Sequence, residues 1–110
     1  MSTSSKASDV GRVDDLDRPE RLTDAERDDC RGARRAEHVA ARVLAKRLAA
    51  RLLDRPLDTA EDWHAIVIVR EPSGQPRLQV DGQPRDDLLV SFSHTAEIAS
   101  AVVMRTESPL

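Results

Sequence analysis

The chain has 110 residues, a formal net charge of -3 and 34% charged residues. This length predicts one domain, and a hydrophobic content of 39% suffices for one modest core. The acidic balance argues against a general nucleic-acid or membrane-surface binder but leaves a local basic site open. No apolar run has the length of a membrane span or a signal-peptide core. Cys30 is the single cysteine, which excludes an internal disulfide, so we expect a cytoplasmic protein with no membrane and no nucleic-acid partner.

The N-terminal part of the chain gives a weak pattern. Residues 1–8 are rich in serine and lack apolar periodicity, which predicts a disordered lead-in before a single domain at 9–110. In the segment that follows, Val10, Val13 and Leu16 favour a short strand, whereas the aspartates between them are poor strand residues.

One long helix dominates the middle of the chain. Thr23 and Glu26 form a capping box, so a helix is predicted to begin there, with an interruption at Gly32. Residues 33–53 then form a helix that is apolar nearly all round, which is typical of a central helix packed on a sheet. Pro56 ends this helix, because proline disfavours helical geometry in the residue before it.

The remainder of the chain predicts antiparallel strands. Short runs of β-branched and alternating apolar residues are separated by turns, and they lie at 66–69, 78–80, 88–92 and 98–104. The predicted fold class is therefore α+β, with the long helix against a mainly antiparallel sheet. Trp63 and Phe92 are the two aromatic residues, so the core consists of small side chains and we expect an oligomer.

Two segments carry a resemblance to a known family. The helix sequence from Ala40 to Arg51 reads AARVLAKRLAAR, and a later strand ends in Ser93-His94-Thr95. Together with the intervening hairpin, they resemble the holo-acyl-carrier-protein synthase type of 4'-phosphopantetheinyl transferase over residues 23–104. The resemblance implies a homotrimer with its site between subunits, coenzyme A or a phosphopantetheine group as cofactor, an acyl carrier protein as partner, and magnesium held by two acidic residues.

The basic positions of the family's helix pattern are matched in this chain, and its acidic position is not. Arg42 and Lys46 match the family directly, and Arg51 stands where the family has its second lysine, so all three are predicted to bind the cofactor. Arg47 stands where the family has its metal-binding glutamate. A guanidinium has only hydrogen-bond donors and repels a cation, which argues against magnesium at this position.

The second family ligand, an aspartate at the end of the first strand, has no comfortable counterpart. Alternative alignments of this segment with the family's first strand place Arg12 or Val13 at the aspartate position, and Asp14 reaches it only if the alignment is shifted by one residue. We therefore predict no metal ligand. Arg47 and Arg51, four residues apart, are predicted to bind phosphate directly; the alternative is that both are surface arginines whose stems cover apolar groups.

His94 is the candidate catalytic residue. An imidazole both gives and takes a proton near neutral pH, which suits a general acid or base. By the resemblance, Ser93 lies where coenzyme A binds. His38 and His64 are interpreted as structural or surface residues, because no spacing typical of a zinc site accompanies them.

Three functions follow from this pattern. The first is a diverged transferase fold that binds a phosphopantetheine group and acts on a carrier-bound intermediate by metal-independent acid–base chemistry. The second is a working synthase that transfers 4'-phosphopantetheine from coenzyme A to a carrier-protein serine. The third is a non-catalytic subunit that binds a carrier protein. Fold alone does not separate them.

Overall fold

The computed structural model describes residues 4–106, and within that range it contains four α-helices, one 3-10 turn and six strands. The α-helices are α1 (Val13–Leu16), α2 (Asp24–Asp28), α3 (Arg35–Leu52) and α4 (Ala60–His64), with a 3-10 turn at Pro19–Arg21. The strands are β1 (Ser4–Arg12), β2 (Ile66–Arg70), β3 (Pro76–Val80), β4 (Gln83–Pro84), β5 (Leu88–His94) and β6 (Ile98–Thr106).

The strands form two antiparallel sheets. One has the order β1-β6-β5 and the other β2-β3-β4. In the first sheet, Asp9 of β1 pairs with Ala101 of β6, which pairs with Phe92 of β5. The predicted α+β class, with a long helix against antiparallel strands, is confirmed.

Helix α3 covers the inner face of the β1-β6-β5 sheet. Its small and apolar residues at 39–41, 43–45 and 48–50 are buried, and they meet Ala99, Ala101 and Val103 of the central strand. Small side chains on both surfaces let the helix and the sheet approach closely. The helix ends where Asp54 takes a left-handed conformation with φ 54°. The Arg55 and Asp54 amides then donate to carbonyls of the last turn, at 2.9 and 3.3 Å, which is a Schellman motif.

The N-terminal elements differ from the prediction. Strand β1 begins at Ser4, so residues 4–8 of the predicted lead-in are paired with β6, while residues 1–3 lie outside the described range. Pairing along the whole of β6 and burial of Ala7 outweigh the weak strand propensity of serine. His64 ends α4, a short helix that was not predicted and that begins with a second capping box, formed by Thr59 and Asp62.

A buried ion pair joins three elements beneath α3. The Lys46 ammonium lies 2.7 Å from Glu26 Oε1, and both side chains are fully buried. Lys46 also donates to the Arg21 carbonyl oxygen at 2.8 Å. Glu26 accepts from the backbone amides of Thr23 and Ile68 at 2.8 and 2.9 Å, so its carboxylate connects α2, α3 and β2.

The outer face of the β1-β6-β5 sheet is uncovered in the single chain. Val10, Leu89 and Ile98 there are 61%, 56% and 40% exposed. None of the helices within residues 4–106 is long and apolar enough to cross a membrane.

Candidate functional site

His94 is the last residue of β5, and it faces the N-terminal turn of α3. Its Nδ1 lies 2.9 Å from Glu37 Oε1, and both side chains are mostly buried. A carboxylate accepts, so this contact places the proton on Nδ1 and leaves the lone pair of a neutral ring on Nε2. Nε2 has no hydrogen-bond partner among residues 4–106. In this tautomer, Nε2 is the ring atom that could accept a proton.

The His38 side chain packs against His94, and Arg42 in turn contacts His38 and Phe92. The His38 ring lies edge-on to it with 4.9 Å between centroids. Burial, assisted by His94 and Arg42, lowers the pKa of His38. Arg42 is only 2% exposed, its Nη1 donates to the His38 carbonyl oxygen at 3.3 Å, and its Cζ lies 5.5 Å from the Phe92 ring centroid. We refer to Glu37, His38, Arg42 and His94 as the histidine cluster.

Arg42 is a buried cation without a carboxylate partner among residues 4–106. Its Nε is buried and unpaired within the same range. A buried guanidinium normally has several acceptors, because leaving donors unpaired costs free energy. Arg42 is therefore a buried cation whose hydrogen-bonding capacity is only partly used within this range.

A second cluster lies on the other side of α3. Arg47 Nη2 donates to Asp9 Oδ2 at 3.1 Å, and the backbone amide of Val10 donates to Asp9 Oδ1 at 2.8 Å. Arg51, one turn further along α3, is exposed and close enough to lower the pKa of the Asp9 carboxyl, after the larger effects of Val10 and Arg47. We refer to Asp9, Arg47 and Arg51 as the arginine cluster.

The two clusters lie at opposite edges of one sheet. Asp9 is on β1, Phe92 and His94 are on β5, and β6 separates these strands. Two strand spacings amount to about 10 Å. Helix α3 packs over the sheet between the two edges, so a ligand touching both clusters of one chain would have to pass over the helix.

Two predicted binding residues are outside both clusters. The Lys46 ammonium is enclosed by Glu26 and the Arg21 carbonyl, with none of its side chain exposed. Burial lowers the pKa of Lys46, while Glu26 opposes that effect. Ser93 is exposed, and its hydroxyl lies 2.8 Å from that of Ser100. Ser93 follows Phe92 and precedes His94, so it projects from the opposite face of the sheet.

The donor set does not fit a magnesium site. No group of three or more His, Cys, Asp or Glu side chains is placed to hold a metal within residues 4–106. Arg47 offers only donors toward Asp9, and both Asp9 oxygens already accept hydrogen bonds. Arg12, Asp14 and Asp15 are exposed. In the described part of the chain, none of them is hydrogen-bonded or ion-paired with Arg47.

A cavity lies away from both clusters. A cavity of about 600 Å³ is lined by Gln75 to Arg77, by Arg85 and Asp86, and by Leu88 to Val90. Its arginines are paired with carboxylates, Arg77 with Asp86 and Arg85 with Asp87, at 2.8 Å each. None of the predicted site residues lines it.

Sequence reasoning missed Glu37 and Asp9. Glu37 is 57 residues from His94, and Asp9 is 38 residues from Arg47. Glu37 reads as an ordinary acidic residue in the first turn of a helix. Only the strand alternation of β1, which places Asp9 on the same face as buried Ala7, carried a usable signal.

Solved structures share this fold. A holo-(acyl-carrier-protein) synthase from Bacillus anthracis, in complex with CoA (3',5'-ADP), matches with a TM-score of 0.71 at 24% identity over 94% of this chain and 96% of that chain. An acyl carrier protein synthase from Mycobacterium tuberculosis matches with a TM-score of 0.61 at 24% identity, with the same coverage of 94% and 96%. An ACPS-CoA complex from Chronobacterium ammoniagenes matches with a TM-score of 0.71 at 18% identity, over 98% and 99%. No protein-family model and no curated protein matches the chain. The predicted phosphopantetheinyl-transferase-like fold is confirmed.

Proposed function

We propose that this protein binds a phosphopantetheine group, carried by coenzyme A or by an acyl carrier protein, and moves a proton on the attached acyl group without a metal ion. The main supporting observation is the 2.9 Å contact between His94 Nδ1 and Glu37, which leaves Nε2 as a proton acceptor. The ligand class is supported by the fold, since two similar solved structures are coenzyme A complexes.

The proton transfer uses groups of the histidine cluster. His94 Nε2 takes a proton from the carbon next to the thioester carbonyl, and the electrons of that C–H bond move onto the carbonyl oxygen as an enolate. Arg42 offers guanidinium donors to this oxygen, and Glu37 holds the imidazole while it is charged. Return of the proton to the same or to another carbon gives exchange or isomerisation.

Arg47 and Arg51 are proposed to bind the phosphate of the same group. Guanidinium groups pair with phosphate oxygens bidentately and require no metal. Lys46 is fully buried in its ion pair with Glu26, so we assign it to stability and not to the predicted binding of the cofactor. Ser93 lies on the exposed outer face, where a neighbouring copy would cover it.

A homotrimer completes this site in our proposal. The histidine cluster and the arginine cluster lie at unlike edges of the sheet, and a cyclic trimer brings unlike edges of successive copies together. The exposed Val10, Leu89 and Ile98 provide apolar surface for such contacts. A ligand between two copies then meets His94 from one and Arg47 from the other.

The test uses an acetoacetyl group on a carrier protein, incubated in D2O with EDTA and followed by intact-mass spectrometry. We expect the wild type to incorporate deuterium about 10²- to 10⁴-fold faster than His94→Ala. Mixing His94→Ala with Arg47→Gln should restore part of the exchange, because each variant supplies the cluster that the other lacks. Exchange by the wild type that is no faster than by His94→Ala contradicts the proposal.

The other two functions have distinct readouts. If coenzyme A, magnesium and an apo carrier protein give a mass increase of one phosphopantetheine arm at an enzymatic rate, the protein is a working synthase. Tight carrier binding with neither arm transfer nor deuterium exchange identifies a binding subunit. The predicted cytoplasmic location stays a prediction.

A further inference from the structure

We infer that Arg47 takes the place of a metal-binding carboxylate opposite Asp9, so that this position binds a phosphate oxygen directly instead of a cation. The guanidinium of Arg47 faces Asp9 from α3, where a carboxylate would complete a pair of metal ligands, and it presents its own positive charge to a phosphate oxygen. This inference uses the proposed function only for the phosphate ligand. The ion pair itself, and its response to a change of charge, are independent of that function.

Asp9 is the carboxylate that α3 faces. Asp9 and buried Ala7 share one face of β1, whereas Arg12 belongs to the alternate face, and Asp14 lies beyond the strand on α1. The distance of 3.1 Å from Arg47 Nη2 to Asp9 Oδ2 defines this position. It is not one of the positions that the sequence registers offered.

Asp9 is held as a charged acceptor. The Val10 amide bonds to Oδ1 at 2.8 Å, and Arg47 bonds to Oδ2. The Val10 hydrogen bond and Arg47, with a smaller effect of Arg51, lower the pKa of the Asp9 carboxyl below its ordinary 3.8. With both oxygens occupied, Asp9 fixes the guanidinium in place.

Arg47 retains donors for a ligand. Its side chain is 38% exposed, and its one hydrogen bond to a side chain among residues 4–106 is that of Nη2 to Asp9. Arg51, on the next turn of the same face, has no carboxylate partner in that range. Two guanidinium groups against one carboxylate leave a positive site, which selects a phosphate and repels a divalent cation.

The charge reversal is tested by undoing it. Arg47→Glu removes the repelling cation and places a second carboxylate toward Asp9. Because glutamate is shorter than arginine, the gap would hold a divalent cation with some of its waters. We expect electron paramagnetic resonance to detect Mn²⁺ bound to Arg47→Glu and not to the wild type. Arg47→Gln and the double variant Arg47→Glu/Asp9→Asn are the matched controls, and neither should bind Mn²⁺.

A phosphate probe completes the test. Calorimetry of the wild type with inorganic pyrophosphate should give the same affinity in Mg²⁺ as in EDTA, and Arg47→Gln should bind about tenfold more weakly. Circular dichroism checks that each variant is folded. Mn²⁺ bound by the wild type, or a folded Arg47→Glu that binds none, overturns the inference. Loss of deuterium exchange with an intact Mn²⁺ result would instead refute the proposed function alone.

Discussion

The buried pair of Glu26 and Lys46 gives the sharpest stability prediction. Lys46→Met removes the ammonium and leaves a buried carboxylate that still accepts from two backbone amides. Glu26→Gln keeps the shape but removes the negative charge, so the buried ammonium has only neutral acceptors such as the Arg21 carbonyl oxygen. Breaking a fully buried ion pair costs about 3–5 kcal/mol, against a total of about 5–15 kcal/mol for a domain. Each single variant should therefore lose about a fifth or more of the free energy of unfolding.

The double variant supplies the control. In Glu26→Gln/Lys46→Met no uncompensated charge is buried, and the glutamine can still accept from Thr23 or Ile68. We expect the double variant to be more stable than the sum of the single effects predicts, by at least about 1 kcal/mol.

Urea unfolding followed by circular dichroism measures these free energies, with the protein concentration held constant because the proposed trimer would add to stability. Single variants that lose less than about 1 kcal/mol, or a double variant that equals the sum, would refute the buried-pair reasoning. They would return Lys46 to the list of ligand-binding residues.

Three further variants test other parts of the molecule. Burial, together with His94 and Arg42, lowers the pKa of His38, so the unfolded chain takes up this proton at a higher pH than the folded protein does. The contribution of His38 to the free energy of unfolding is therefore complete above the ordinary value of 6.5 and falls as the pH drops through the lowered pKa. His38→Gln should flatten that part of the stability–pH curve, and an unchanged curve would count against it. Val10→Asp should weaken the proposed trimer and lower the mass measured by light scattering, and an unchanged mass would contradict an interface on the outer face. Asp54→Gly, at φ 54°, should raise the free energy of unfolding by about 0.5–1 kcal/mol, and a loss would contradict the strain argument.

The sequence predicted the elements whose signals are local. The capping box of Thr23 and Glu26 is present, with both of its reciprocal hydrogen bonds. The helix predicted at 33–53 runs from Arg35 to Leu52, because its long apolar pattern has no breaker before its end. Both hairpins follow their turns, since turn residues and strand alternation act over a few positions.

The sequence failed where distant segments decide the outcome. Nothing near Glu26 indicates that its carboxylate, besides capping α2, also meets Lys46 and the Ile68 amide. The partners of His94 and Arg47 are equally remote along the chain. A single sequence contains each residue's local propensity but not its tertiary contacts. The pairing of residues in the clusters flanking α3 could therefore be seen only in the folded structure.

The position of Glu26 also bears on how the chain reaches its folded state. Its carboxylate and the Lys46 ammonium leave water only when α2, α3 and β2 have all come together. An intermediate with just two of these segments docked would shield a charge from water before its partners had arrived, and such a state is high in free energy. Partly assembled forms are therefore sparsely populated, and the pair makes the folding transition more cooperative than a small alanine-rich core would by itself.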